Sequence, residues 1–510
     1  MQFSKTIKAI FILGIIYFLL CIIPNAMGIK DEHMLSLLSQ DESIQYPYLM
    51  HMLTPGTNFL ETIKNFVSYQ HYFYGYPFYL YSALLLLPFR IIFGDQFSSM
   101  VQMNLLILRQ MVSVLPIIIA VGFLTYLQTR FVSLWKSILL FLFMLFFPAV
   151  IGYNLWFWHP DGMTVLGVAL TLFFLDRDEL SFGRNFYFAA IACGFTAATK
   201  VIGFFFFLSL LIYLAMGLIQ KKTSIYKIVR AAFLFILILL IVFIALNPLL
   251  IPNQTRAQII KIQIQQNFFV THGWQDSDIY QTGLIAWLPY LQQWYAFPLF
   301  ILFMLAALLY GCMRSDHPLT CWLFLGWIIP YSTYLVFFVA TKPYHYWLPI
   351  LLPLASGLAI FLPDHFFVGI NTKKSINRMN SLQRFLPVLA LAIIAFQLGH
   401  NFKEDFSIVA DVTEREKLLI ACNSGADNNP DGQTIQLNYE RWYRVEVYDD
   451  RTSPPSRKFL VEKGNLSVTA YLDHGEFAWA CNSQSDALFS ADRLYRQYKE
   501  AHPTQQVIGP

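Results

Sequence analysis

Charged side chains are scarce in this chain of 510 residues: only 13% are Asp, Glu, Lys or Arg, and 56% are hydrophobic. Soluble domains carry about 25% charged residues, so the chain lacks the polar surface that a soluble protein of this length needs. It contains instead apolar runs such as Ala231 to Leu250, which is broken only by Asn247 and Pro248. A run of about 18 apolar residues is long enough to span a membrane. The composition therefore predicts an integral membrane protein.

Other absences exclude further classes of protein. The net charge is only +4, and no basic stripe with interleaved aromatics lies outside the apolar segments, so no nucleic-acid partner is expected. The six cysteines form no Cys-x-x-Cys or His/Cys metal spacing, which argues against a zinc site. The phosphate-binding loop, the Gly-x-Ser-x-Gly nucleophile motif and the His-Glu-x-x-His motif are also missing from the sequence.

The apolar segments predict an all-α polytopic membrane protein with about eleven transmembrane helices. They lie at about 9–23, 98–127, 137–157, 162–176, 186–199, 201–219, 229–251, 289–313, 318–340, 345–362 and 385–400. The stretch 78–93 contains Pro88 and Arg90, and it could cross the membrane or lie at its interface. The first segment follows Lys5 and Lys8 and resembles a signal peptide. Its match to a signal-peptide cleavage site is weak, so we expect an uncleaved first helix that contacts membrane lipids like the other spans.

Lys and Arg residues indicate the orientation of the chain, because they are enriched in short cytoplasmic loops. If the stretch 78–93 does not cross, all the basic loops fall on one side. These loops contain Arg130 and Lys136, Arg177 and Arg184, Lys221 to Arg230, Arg314, and Lys373 to Arg384. We therefore expect the N-terminus in the cytoplasm, with loop 24–97 and the C-terminal tail outside. This arrangement fits the inner membrane of a bacterium.

The composition changes to that of a soluble domain after residue 400, which divides the chain into a membrane domain, 1–400, and an external domain, 401–510. Residues 434–447 and 466–480 alternate polar and apolar side chains and predict strands, so the tail is expected to be a small β-containing domain. Cys422 and Cys481 could close it as a disulfide, since external compartments favour disulfides. The alternative is two free thiols.

Two carboxylates follow the first helix directly. Asp31 and Glu32 lie a few residues from the membrane exit, where a carboxylate is costly to desolvate and is a functional candidate. The alternative is that Asp31 only begins a helix, since Asp suits the first turn. His159 and Asp161 stand at another external helix junction, where Asp161 could equally be a helix cap.

Isolated cations occur at several external junctions. Lys200 interrupts the apolar stretch 186–219, Arg256 and Lys261 follow the helix that ends near Ile251, and Lys342 begins a short loop. Each of them could simply contact lipid headgroups. If the helices bundle around a cavity, however, these cations would converge in a positive, aromatic-lined site that suits a phosphate carried on a lipid.

Five motifs in a fixed order give the chain a resemblance to a known family. They are the Asp31-Glu32 pair, the aromatic segment Tyr74 to Tyr79, the junction His159 to Asp161, the segment Gly194 to Lys200, and the segment Tyr344 to Pro349. The order resembles the membrane glycosyltransferases of the GT-C class, in particular the family 39 branch of protein O-mannosyltransferases and lipid A aminoarabinose transferases. The resemblance covers about residues 1–400.

The resemblance implies inverting transfer of a sugar from a polyprenyl-phosphate donor to a lipid, glycan or protein acceptor at the external face. Asp31 would be the catalytic base and Glu32 would orient the site or bind the acceptor. The donor phosphate would be held by Lys200, Lys342, His345 and Arg256, in a cavity with His71, Tyr74, His159 and Asp161.

The sequence also departs from the family pattern. Tyr76 stands where the family often has Lys before the proline, and Lys342 and His345 stand where Arg is common. No cofactor is implied with certainty, but Asp276 and Asp278 form an Asp-x-Asp pair that leaves a divalent metal open. The alternative function is a transporter or flippase of a lipid-linked substrate, although the sequence shows no repeated halves. A structural membrane subunit without activity is a second alternative.

Overall fold

A computed structural model of the chain describes residues 2–26, 35, 40–155, 157–273, 280–362, 389–410, 435–439, 443–446, 460–463 and 466–470. The chain divides into two compact units. The first comprises Met1–Asn25, Tyr48–Gly94 and Leu105–Val409, and the second comprises Ala26–Pro47, Asp95–Asn104 and Ala410–Pro510.

The described residues form eighteen α-helices, which are numbered in chain order. They are α1 (Gln2–Asn25), α2 (Gln40–Met52), α3 (Phe59–Val67), α4 (Tyr76–Phe93), α5 (Val101–Leu108), α6 (Leu115–Thr129), α7 (Leu134–Leu145), α8 (Pro148–Asn154), α9 (Asp161–Asp178), α10 (Arg184–Thr199), α11 (Phe207–Ile219), α12 (Ile225–Ala245), α13 (Asn253–His272), α14 (Leu284–Trp294), α15 (Pro298–Arg314), α16 (Pro318–Phe338), α17 (Leu348–Ser356) and α18 (389–410).

Seven helical segments of the described residues are long and apolar enough to cross a membrane. They are Phe3–Asn25, Tyr76–Ser99, Val101–Thr129, Val201–Ile219, Ile225–Ala245, Pro318–Phe338 and Tyr344–Phe361. Two bent pairs, α7 with α8 and α14 with α15, raise the number to nine if each pair is one span. The second helix of each pair begins with proline, Pro148 or Pro298, whose ring interrupts a continuous helix. The protein is therefore a helical, multi-span membrane protein, as its composition predicts.

The set of spans differs from the eleven segments expected from the sequence. Tyr76–Ser99, which the sequence left open, qualifies as a span, whereas α9, α10 and α18, the last within the predicted span 385–400 and beyond it, do not. Helix α9 carries Asp161 and a charged last turn, and α10 has only 16 residues. Helix length and composition identify the spans but do not tell which side of the membrane each helix end faces. The orientation of the chain therefore stays a prediction.

Helix α9 occupies a central position in the first unit, packed against α6 and α10. Gly167 of α9 approaches α10 so closely that an added Cβ would lie 2.2 Å from the Thr196 side-chain oxygen. Small residues of this kind allow neighbouring membrane helices to pack tightly. At the far end of α9, Asp176 accepts two hydrogen bonds from the Arg130 guanidinium, at 2.6 and 2.7 Å. Helix α9 is thus fixed at both its middle and its end, which positions the residue at its beginning.

Four short strands lie in the second unit: β1 (Ile435–Tyr439), β2 (Tyr443–Glu446), β3 (Leu460–Lys463) and β4 (Leu466–Ala470). The sheet order is β1-β4-β2-β3, in which β1–β4 and β2–β3 are antiparallel and β2–β4 is parallel. Strands β1, β2 and β4 fall within the segments that the sequence predicts as strands. Cys422 and Cys481 lie outside the described residues, and the external domain and its disulfide stay predictions.

Candidate functional site

Lys200 lies at a break between two helices. Helix α10 ends at Thr199, Lys200 adopts an extended backbone (φ −151°, ψ 130°), and a 3-10 helix, Val201–Phe206, follows before α11 begins. The amide of Lys200 still donates to the Thr196 carbonyl oxygen at 2.9 Å. The break therefore keeps its backbone donor satisfied while it directs the lysine away from the helix axis.

A buried carboxylate holds the ammonium of Lys200. Asp161 begins α9, is fully buried, and accepts a 2.7 Å hydrogen bond from Lys200 Nζ on its Oδ1 atom. The Lys200 side chain is 16% exposed, and its Nζ lies 4.6 Å from the centre of the Tyr346 ring, a cation–π distance. An ion pair in a low-dielectric site is costly to break from one side. Asp161 therefore fixes where the positive charge of Lys200 stands.

Two histidines approach the other oxygen of the same carboxylate. His159 Nδ1 lies 2.5 Å and His345 Nε2 lies 3.7 Å from Asp161 Oδ2. Both imidazoles are buried, and their ring centres are 4.7 Å apart. The opposite nitrogen of His159, Nε2, is hydrogen-bonded to the Tyr74 hydroxyl at 2.6 Å. The motifs of loop 70–75, of the start of α9 and of the segment before α17 thus meet at one carboxylate.

His71 borders this cluster without joining it. Its Nδ1 is hydrogen-bonded to the Tyr79 hydroxyl at 2.5 Å, and its ring lies 5.8 Å from the Tyr74 ring. Burial, together with the nearby His159, lowers the pKa of His71 from its usual 6.5 to about 4. His71 is therefore neutral at physiological pH.

A cavity of about 190 Å³ lies beside Lys200. Its lining is mostly aromatic and aliphatic, with tyrosines such as Tyr74 and Tyr346, and a few amide side chains such as Asn247 and Gln263. Among the described residues that line it, Lys200 alone carries a charge. Pockets that enclose a drug-sized ligand have about 300–1,000 Å³, so this cavity has room for the polar head of a lipid rather than for a whole lipid.

Three predicted phosphate ligands do not line this cavity: His345 lies beside Asp161, and Lys342 and Arg256 lie elsewhere. Lys342 does not line this cavity: its ammonium donates to the carbonyl oxygens of Ala340 (2.6 Å), Val339 (3.2 Å) and Gln281, and stands 4.6 Å from the Trp287 ring centre. Burial lowers the pKa of Lys342 from its usual 10.5 to about 8.

Arg256 is exposed on α13, is hydrogen-bonded to Asn253, and is not part of the lining either. The expectation that Lys342 and Arg256 converge with Lys200 on one cavity is corrected accordingly. Backbone carbonyls satisfy the first cation, and solvent is available to the second. Whether either contacts a donor stays a prediction.

The predicted catalytic carboxylates, Asp31 and Glu32, lie outside the described residues, as do Asp276 and Asp278, so their roles stay predictions. The sequence prediction missed the roles of Asn247 and Gln263 in lining the cavity. Asn247 had a signal in the sequence, because it interrupts the most apolar run of the chain. Gln263 had none, since the surrounding helix α13 is polar along most of its length.

No protein family and no curated protein matches the chain in sequence. Several solved structures are similar to it. The ArnT of Cupriavidus metallidurans bound to undecaprenyl phosphate has a TM-score of 0.45 and 10% identity, over 83% of this chain and 72% of that chain. The oligosaccharyltransferase of Archaeoglobus fulgidus in the apo form has a TM-score of 0.41 and 14% identity, over 82% and 58%. AglB of the same organism, with an inhibitory peptide and a dolichol-phosphate, has a TM-score of 0.41 and 12% identity, over 82% and 58%. The chain thus spans 58% of the length of the two archaeal chains.

Proposed function

We propose that the protein is a membrane glycosyltransferase that moves a sugar from a polyprenyl-phosphate donor to an acceptor at the external membrane face. The observation that carries the proposal is the position of Lys200. It is the one charged residue among the described residues that line a mostly aromatic and aliphatic cavity, and Asp161 fixes its ammonium. A sugar phosphodiester on an apolar chain presents the complementary features: one negative charge, hydroxyl groups and a hydrocarbon tail.

The cation would act on the leaving group. In the proposed reaction an acceptor hydroxyl attacks the anomeric carbon, the bond from this carbon to the phosphate oxygen breaks, and the hydroxyl proton passes to a base. The polyprenyl phosphate leaves with one additional negative charge. Lys200 stabilises this developing charge by a charge-assisted hydrogen bond. Asp161 is a positioning residue, since both of its oxygens face protein groups.

The base is proposed from the family resemblance. Asp31 follows α1 in the chain and matches the catalytic carboxylate of the resembled glycosyltransferases, and Glu32 would orient the site or the acceptor. A positioned base contributes about 10²–10⁴-fold to the rate. The ordinary pKa of an aspartate is sufficient if the proton moves late in the reaction.

The test is to reconstitute the full chain in lipid vesicles and to follow a radiolabelled polyprenyl-phosphate sugar. We expect release of free polyprenyl phosphate, and we expect Lys200→Gln to lower the rate about 10²–10³-fold, as removal of one donor to a developing anion does. Lys222→Gln, in an exposed loop, is the matched control and should keep the wild-type rate.

Two outcomes would contradict the proposal. Movement of the intact donor across the bilayer, without release of polyprenyl phosphate, would identify a flippase. Release at an equal rate in Lys200→Gln and wild type would show that the cavity is not the donor site.

A further inference from the structure

The two histidines beside Asp161, His159 and His345, are not needed to hold Lys200. Lys200 uses only the Oδ1 atom of Asp161, yet two imidazoles face the Oδ2 atom. One ligand-type atom from each of the three residues lies within 4.8 Å of the other two. All three side chains are buried. We infer that His159, Asp161 and His345 bind a divalent transition metal ion of the zinc class.

The crowding of polar atoms at one carboxylate oxygen supports the inference. His159 Nδ1 stands 2.5 Å and His345 Nε2 stands 3.7 Å from Asp161 Oδ2, and all three side chains are buried. Burying several polar groups together is costly unless each of them has a good partner. An ion bound by all three atoms would be such a partner.

The spacing fits an ion after small movements. Zinc binds imidazole nitrogen and carboxylate oxygen at about 2.0–2.2 Å, so neighbouring ligand atoms of a tetrahedral site stand about 3.4 Å apart. The contact from His345 Nε2 to Asp161 Oδ2 is 3.7 Å, close to this value. The contact of 2.5 Å from His159 would have to open by about 1 Å as the ion binds.

The surroundings of His159 are those of a metal ligand. Metal-binding histidines usually donate their second ring N–H to a neighbouring group, which fixes the tautomer and the ring orientation. The Tyr74 hydroxyl stands 2.6 Å from His159 Nε2 and can accept such a bond, which leaves Nδ1 free to bind the ion. The backbone carbonyl oxygen of His159 also accepts a hydrogen bond from the Tyr153 hydroxyl at 2.6 Å, which fixes the backbone of this residue.

The chemistry of the ligands selects the kind of ion. Imidazole nitrogen suits zinc and its neighbours among the transition metals, whereas magnesium and calcium prefer oxygen ligands. Two histidines and one carboxylate also leave a fourth position of a tetrahedral ion for another molecule. Lys200 lines the cavity and is paired with the carboxylate that would hold the ion, so ion and lysine together would carry a net positive charge that an anion could balance.

The next step rests on the proposed function. If the anion is the donor phosphate, ion and donor bind cooperatively, because each compensates the charge of the other. We therefore expect undecaprenyl phosphate to tighten Zn²⁺ binding about tenfold, and Zn²⁺ to tighten undecaprenyl phosphate binding by the same factor.

The experiment uses the full chain, purified in detergent, stripped with a chelator and titrated with Zn²⁺ and, separately, with Co²⁺. We expect about one equivalent of Zn²⁺ per chain and an intense visible Co²⁺ spectrum of low coordination number. His345→Gln and His159→Gln should each weaken Zn²⁺ binding at least tenfold. His272→Gln, at an exposed helix end, is the matched control and should not.

Absence of stoichiometric Zn²⁺ binding to the wild type, or equal binding to all four proteins, would overturn the inference. If the two cluster variants fail to fold, the wild-type Co²⁺ spectrum decides, since a spectrum like that of Co²⁺ in water contradicts the site. Zn²⁺ binding without sugar transfer would refute the proposed function alone. Transfer that depends on Lys200 but occurs without metal binding would refute the metal site alone.

Discussion

The amide of Gly75 donates a 3.1 Å hydrogen bond to the carbonyl oxygen of Thr199, the residue before Lys200. Asn247 reinforces this junction: its side chain accepts from the Tyr76 amide at 3.0 Å and donates to the Ala198 carbonyl at 3.2 Å. The loop before α4, the end of α10 and the segment after α12 are therefore joined at the wall of the cavity, through backbone groups of the first two and the Asn247 side chain of the third. Backbone groups move less readily than side chains, so the wall tolerates little change.

Gly75→Ala should damage the site. A Cβ at residue 75 would lie 1.6 Å from the Ala198 carbonyl oxygen, so one of the two segments must move and the junction beside Lys200 would be lost. We expect a lower unfolding temperature in detergent and a loss of undecaprenyl phosphate binding. Gly122→Ala is the control, because no atom lies within 4 Å of a Cβ there. Equal binding by the two variants would mean that the junction does not shape the site.

Asp161→Asn should leave the Lys200 ammonium largely buried without its counter-charge. Removing one partner of a buried ion pair costs about 3–5 kcal/mol of the free energy of unfolding. The double variant Asp161→Asn with Lys200→Met removes both charges and should recover part of this loss, while the transfer rate stays as low as in Lys200→Gln. Denaturant unfolding measures the first quantity, and the vesicle assay measures the second. A double variant that is less stable than Asp161→Asn alone would contradict the pairing.

Asp31→Asn should abolish transfer but keep the protein folded and inserted, because the amide cannot accept the acceptor's proton. A loss of about 10²–10⁴-fold is expected for removal of a base. Glu32→Gln should mainly raise KM for the acceptor, since Glu32 is proposed to orient the site or the acceptor. Steady-state kinetics with varied acceptor separate the two effects. Wild-type turnover in Asp31→Asn would remove this residue from the mechanism.

His71 should make the protein acid-sensitive. Its pKa is about 4 in the folded protein, against a usual 6.5, so between these values the unfolded chain binds the proton more tightly. The free energy of unfolding is therefore unaffected by this group above pH 6.5 and decreases as the pH falls from 6.5 to 4. The decrease should be about 1–3 kcal/mol. Unfolding measured across this range should show a shallower dependence in His71→Gln, and an unchanged profile would exclude His71 as the cause.

Much of the architecture follows from local features of the sequence. Long apolar runs predict most of the membrane helices, and the segments around Tyr74, His159, Lys200 and His345 come from four separate places in the chain to one site. What the sequence could not predict is set by tertiary packing. Lys342 resembles Lys200 as an isolated cation at a helix junction, but three carbonyl oxygens satisfy it.

The contact between His345 and Asp161 follows from no spacing rule, because His345 is 184 positions later in the chain. Only the family resemblance placed the two residues at one site. Similarly, the sequence does not show that the polar start of α9 and the short α10 are packed among apolar helices.

The pairing of Asp161 with Lys200, 39 residues later, has a consequence for how the chain is made. Until Lys200 is synthesised, the carboxylate at the start of α9 lacks its cationic partner, and a charge without a counter-charge is costly to bury. The partner arrives with the end of α10, itself a helix of only 16 residues. Neither helix is suited to enter the membrane alone, but the two together form a tightly packed hairpin in which Lys200 pairs with Asp161. We therefore expect α9 and α10 to be released from the translocation machinery into the lipid as one unit, only after Lys200 has been synthesised.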